Sequence, residues 1–267
     1  MKLCFSTLGC TEMDLASILN LAREYHISAL ELRGIGGVMD NRRIEALDMV
    51  HTEETKALFE KNEVVPHVLG TSCSFHNAEK YEAAIEEGKA CVDIAARLQI
   101  PYIRVFGNNV TGETDDERAA CIARVIAGIH EVCDYAADTA VTVLLEVHGD
   151  FNKIETLQPI TDALGAHPHF GLIWDIAHTH AYGAQWPLFY RAFRPYIRHI
   201  HVKDRAEENG KLTMPGEGDL PILPIARALL ADGYDGCFSL EWEKKWHPEL
   251  PELSPALASY IALMERV

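Results

Sequence analysis

The chain has 267 residues, of which 48% are hydrophobic and 24% charged, enough apolar material for one sizeable core and too much for a disordered polypeptide. With 24 Lys and Arg against 40 Asp and Glu, its formal charge of −16 disfavours nucleic acid and anionic membrane, both of which need clustered cations. Seven scattered Cys, an odd number without a CxxC pair, exclude a disulfide framework as the default and point to reduced thiols.

The opening MKLCFSTLGCTEMD has too short an apolar run for a signal peptide, and no stretch reaches the ~18 apolar residues of a membrane span. A soluble, cytoplasmic protein is expected. Strand patterns fall at 3–9, 29–33, 64–70, 102–107, 142–148, 171–176, 197–203 and 236–242. Helical patterns alternate with them at 13–25, 53–61, 78–98, 115–137, 154–164, 186–193, 222–231 and 250–264. DLASILNLAREY and CIARVIAGIHEVCDYA space their apolar residues as a helix packed on one side does. VTVLLEV and FGLIW are apolar on both faces, as parallel strands covered by helices are. Eight strand–helix units without a linker predict an α/β fold, a single-domain (β/α)8 TIM barrel over residues 1–267. An open doubly wound sheet is disfavoured, because no Gly-rich phosphate loop follows the first strand. The long connections 34–52 and 204–220 both follow strands and are expected on the active face.

In such a barrel, polar residues at the C-terminal ends of strands converge on one mouth. Four consecutive strands end in a metal-type ligand: TVLLEVHGD with Glu146, FGLIWDIAHTH with Asp175, IRHIHVKD with His201 and CFSLEWEKKW with Glu241. Neighbouring strands lie about 4.8 Å apart, so the four side chains can reach one ion. Three carboxylates and one imidazole suit Mn²⁺ first, with Mg²⁺, Co²⁺ or Zn²⁺ as alternatives. Each residue alone reads equally well as a helix cap or a structural group; four in strand register do not.

LEVHGDF, WDIAHTH, HIHVKD, PGEGDLP and SLEWE, in that order, resemble the xylose-isomerase-like superfamily of sugar isomerases and epimerases. The resemblance covers essentially the whole chain. It implies a divalent metal at Glu146, Asp175, His201 and Glu241, and a substrate contact from His178. In the family's ketose epimerases the two Glu also exchange a proton with a carbon beside a carbonyl, which makes Glu146 and Glu241 the expected catalytic pair. The chain departs from that pattern twice: Asn152 replaces a second Glu, and Glu207 replaces an Arg.

Further substrate contacts are expected from His148, on the same side of its strand as Glu146, and from Lys203. His67, read as ending the third strand, and Arg104, within the fourth, are expected to point into the mouth. Glu31 and Arg33 read as a buried ion pair, and Trp246 as a loop residue able to cover a sugar ring. The expected function is an isomerase or epimerase acting on a small sugar, sugar phosphate or related polyhydroxy ketone by proton transfer. The alternative is a metal-dependent dehydratase of an inosose or a 3-dehydroshikimate-like substrate. A barrel-fold nuclease would need more His ligands and a basic groove. The expected partner is a small polyhydroxy carbonyl compound; a homo-oligomer is compatible with the sequence.

Overall fold

The structure is a computed structural model describing residues 1–267, apart from the side chains of residues 181 and 184. Eight parallel strands close into a barrel. They are β1 (Lys2–Ser6), β2 (Ala29–Leu32), β3 (Val65–Ser74), β4 (Tyr102–Phe106), β5 (Thr142–Glu146), β6 (Phe170–Asp175), β7 (Ile197–Val202) and, after a short hairpin, β10 (Cys237–Leu240). The hairpin is β8 (Asp204–Arg205) with β9 (Leu212–Thr213). Around the barrel the order is β1-β10-β7-β6-β5-β4-β3-β2, closed where β1 pairs with β10 through Leu3 and Phe238. Eight helices cover it: α1 (Leu15–Glu24), α2 (Thr52–Lys61), α3 (Tyr81–Arg97), α4 (Asp115–Tyr135), α5 (Ile154–Leu164), α6 (Trp186–Phe193), α7 (Ile222–Ala231) and α8 (Leu253–Met264). The expected barrel is therefore the observed one. Among the described residues, no helix is long and apolar enough to cross a membrane.

Helix ends are set by local chemistry. Asp14 caps α1 by accepting from the Ser17 amide at 2.7 Å, and Thr114 with Glu117 forms a reciprocal capping box on α4. At the other ends, His26, Glu63 and Gln99 adopt left-handed backbones (φ 55°, 56° and 58°). The next residues, Ile27, Val64 and Ile100, each donate back to the carbonyl five positions earlier and bury their side chains. The same apolar stop thus ends α1, α2 and α3 and feeds each chain into its next strand.

Side chains alternate across each strand, so the sequence of every strand divides between helix-facing and barrel-facing positions. The outward set, with Phe5, Leu30, Leu145, Trp174 and Phe238, is buried in the main core. The inward set starts apolar near the strand beginnings, with Cys4, Ala29 and Cys237 in one group and Val68, Leu144 and Ile173 in another. Above them the interior turns polar. Glu31, Arg104, Glu146, Asp175, His199, His201, Lys203, Ser239 and Glu241 are all buried.

The third strand runs past the expected residue 70 to Ser74, which corrects the placement of His67. His67 lies near the start of β3, where its ring meets Tyr102 at 5.1 Å and His199 at 5.5 Å. It lines a cavity at the N-terminal end of the barrel with Glu53, Lys56 and Pro101. Burial pushes it down to about 3, so it is a neutral packing group at the end opposite the mouth.

Candidate active site at the barrel mouth

Glu146 is the last residue of β5 and Asp175 the last of β6; His201 is the last but one of β7. Glu241 follows the last residue of β10 and still donates its amide to Val202 O at 3.0 Å, which extends the pairing by one residue. Asp175 and Ser239 flank His201 in register on either side. One ligand atom from each of Glu146, Asp175, His201 and Glu241 lies within 4.8 Å of the others, and all four residues are buried. Nδ1 of His201 faces Glu146 Oε1 at 3.7 Å, Asp175 Oδ2 at 3.7 Å and Glu241 Oε2 at 3.5 Å, with no hydrogen-bond partner of its own.

The charges around this group decide what it can hold. Four carboxylates are buried in the barrel (Glu31, Glu146, Asp175 and Glu241) against three buried cations, Arg104 and Lys203 inside it and Arg33 beyond the end of β2. With His201 neutral, as a metal ligand must be, the carboxylates still outnumber the cations, a costly arrangement in a dry interior. A divalent cation would balance them and occupy the lone pair of the orphaned Nδ1; oxygen-rich donors with one imidazole fit such an ion. Burial would lower the basicity of His201, but Glu241, Glu31 and Glu146 raise it well above the usual histidine range. Burial works against ionisation of Glu146 too, yet the Arg104 guanidinium holds it down to about 2. Burial pushes Glu241 up to about 7, against the pull of His201 and Lys203. The two glutamates are unequal.

Two of the expected substrate contacts, Arg104 and Lys203, are engaged with the carboxylates of the cluster. Arg104 is 2% exposed and lies within the barrel. Its Nη1 sits 3.0 Å from Glu146 and 3.5 Å from Glu241, while Nη2 donates to Thr71 O at 3.0 Å. Lys203 is fully buried, with its ammonium 2.9 Å from Asp175 Oδ2 and 2.5 Å from Glu241 Oε2, and bonded also to Glu243. Both cations are drawn inward because unpaired buried carboxylates cost more than solvated cations gain. Glu31 and Arg33 do not pair with each other: Arg33 lies beyond the end of β2 and bonds Met39 O and Ser72 Oγ.

His148 and His178 meet above the ligand group, their rings 4.3 Å apart and edge-to-face. The His178 amide donates to Asp175 Oδ1 at 2.9 Å, while its side chain keeps 20% of its surface exposed. Burial pushes His178 down to about 4, so it is neutral at physiological pH. Asn152 donates to the His178 carbonyl at 2.8 Å and so braces the loop that carries it. Glu207 is exposed in the β8–β9 connection, and Trp246 is 57% exposed on the loop after β10.

The β8–β9 segment is tied to the barrel by a single carboxylate. Asp204 is 2% exposed and accepts backbone amides from Arg205 (3.0 Å), Gly216 (2.9 Å), Gly218 (3.1 Å) and Leu220 (3.2 Å). A Cβ at Gly218 would fall 2.3 Å from Asp204 Oδ1, so PGEGDLP needs glycine there. This clamp was not recognised in the sequence, although an Asp followed by a Gly-rich run was its signal.

Fold and site together define a (β/α)8 barrel with a buried carboxylate–imidazole cluster at its mouth. Residues 20–262 match the family described as xylose isomerase-like TIM barrel, and the chain belongs to it. It is 25% identical over 214 residues to an inosose dehydratase of Lacticaseibacillus casei, covering 72% of this chain. The match spans 64% of that relative's length. The probable 3-DHS dehydratase AsbF of Bacillus anthracis superposes with a TM-score of 0.79 at 17% identity, covering 99% of both chains. The IOLI protein, solved with a zinc atom, superposes with a TM-score of 0.79 at 20% identity, covering 99% of this chain and 96% of that one. At these identities the superpositions speak for the fold alone.

Proposed function

We propose that the protein is a divalent-metal-dependent enzyme that removes a proton beside the carbonyl of a small polyhydroxy ketone and then eliminates water. The observation that carries this reading is the inequality of the two glutamates. Glu146 is held ionised by the Arg104 guanidinium, whereas burial pushes Glu241 up to about 7, where it can hold a proton. Environments that differ in this way assign a base to one side and an acid to the other.

Glu146 is then the base that takes the proton from carbon. Glu241, which burial pushes up to about 7, returns a proton to the departing hydroxyl, which leaves as water while the carbon–carbon double bond forms. His178, neutral, and His148 beside it, both partly exposed above the cluster, hold substrate hydroxyls. A bound ion at Glu146, Asp175, His201 and Glu241, Mn²⁺ by preference for this donor set, would polarise the carbonyl oxygen. The inosose dehydratase named above supports an inosose-like substrate. Epimerisation is the second reading, supported by the proximity of both glutamates to one site. The departures at Asn152 and Glu207 weigh against it: the first is engaged with the His178 backbone and the second faces solvent.

The test is turnover of inososes, dehydroshikimate and free ketoses with Mn²⁺ in deuterated water, followed by NMR and ultraviolet absorbance. An unsaturated product one water lighter is expected. An epimer carrying solvent deuterium beside its carbonyl would establish the second reading instead. A substrate labelled there that becomes an isomer with all its label retained would remove proton transfer to Glu146 altogether. His178→Ala should raise KM at least tenfold while leaving Mn²⁺ affinity within a few-fold, measured by calorimetric titration. Equal losses of both would make His178 a metal ligand or a prop.

A further inference from the structure

Glu31 lies in β2, yet its partners come from the other side of the closure, on β7 and β10, with β1 between. Its Oε2 atom accepts from His201 Nε2 at 2.9 Å, His199 Nε2 at 3.1 Å and Ser239 Oγ at 3.2 Å. All four residues are buried, Glu31, His199, His201 and Ser239 having no exposed surface. A carboxylate accepts only, so each imidazole that it bonds must present a protonated Nε2. For His201 this has a directional result. With Nε2–H committed to Glu31, its one basic lone pair is on Nδ1, the atom that faces Glu146, Asp175 and Glu241.

We infer that Glu31 is a positioning residue for the metal centre, fixing the tautomer and the ring orientation of His201. This rests on the metal-binding reading of the site. Hydrogen bonding from a carboxylate also makes the coordinating imidazole more basic, and removal of such partners typically weakens metal binding by about 10–100-fold. A charge-neutral role in packing is poorly matched to the position. Glu31 Oε1 has no hydrogen-bond partner, and the nearest cation, Arg104 Nη1, stands 4.0 Å from it, so the carboxylate is retained despite incomplete compensation. Neighbouring His199 holds the second side of Oε2 and keeps the carboxylate from rotating away from His201.

The experiment is calorimetric titration of chelator-treated wild type, Glu31→Gln and Ser239→Ala with Mn²⁺, beside thermal melts of each metal-free protein. Glu31→Gln should bind Mn²⁺ 10–100-fold more weakly with a metal-free melting temperature no lower than wild type. Ser239→Ala, which removes a different bond to the same oxygen, should stay within about threefold. Wild-type-like affinity in Glu31→Gln, or an equal loss in Ser239→Ala, would overturn the role of Glu31 while leaving the metal site standing. A wild type that binds no ion would overturn both. Should Glu31→Gln fail to fold, nitrogen NMR of the Mg²⁺- or Zn²⁺-filled wild type decides. His201 protonated at Nε2 supports the inference, and protonation at Nδ1 refutes it.

Discussion

Glu146→Gln and Glu241→Gln are each expected to lower kcat by about a hundred- to ten-thousand-fold at saturating Mn²⁺, the range supplied by a positioned acid or base. The amide keeps the size of the carboxylate and removes its ability to carry a proton. Each variant should melt cooperatively, because each replacement relieves a group of buried carboxylates that already outnumbers its cations. The two losses should differ in pH profile. Glu146, paired with a guanidinium, is the proposed base, whereas Glu241, pushed up to about 7 by burial, is the proposed acid. Steady-state kinetics over a pH series would read this. Retention of more than a tenth of wild-type turnover in either variant would take that glutamate out of the reaction.

Arg104→Met is expected to destabilise the metal-free protein by about 3–5 kcal/mol, the usual cost of stripping one partner from a buried ion pair. Glu146 would lose its 3.0 Å contact, and Glu241 and Glu31 their nearest or second cation, all in a region from which water is excluded. A saturating divalent ion should restore most of that loss, because it brings positive charge to two of the same carboxylates. Urea unfolding with and without Mn²⁺ would measure both quantities. A loss below about 1 kcal/mol, or one that Mn²⁺ leaves unchanged, would show that the guanidinium does not compensate the cluster.

What was legible in the sequence follows the physics of each element. Helices 154–164, 186–193 and 222–231 were readable to the residue, since their amphipathic periods end at clear breaks. The ends of the strands bearing Glu146 and Asp175 were readable within about two residues, because apolar runs stop where the mouth begins. The third strand was not. Thr71, Ser72, Cys73 and Ser74 are small and mostly polar and read as loop, yet they continue β3, and this moved His67 to the wrong end of the barrel. The carboxylate partners of Arg104 and Lys203 were not legible for another reason. Charged residues normally face water, and only the crossing of strands far apart in sequence reveals that carboxylates await them inside. Glu31 shows the same limit: its partner was sought two residues away on its own strand and lies 170 residues away, at His201.

The Asp204 clamp has a consequence for how the protein can change. Four amides from both sides of the β8–β9 excursion converge on one buried carboxylate, so the base of the excursion is fixed whatever its tip does. Residues 207–211, Glu207 to Lys211, are exposed. Insertions, deletions and new side chains there would alter the rim without loosening a single barrel hydrogen bond. On the proposed function, directed evolution of a new specificity would best begin by randomising that tip, beneath which the clamp holds the barrel unchanged.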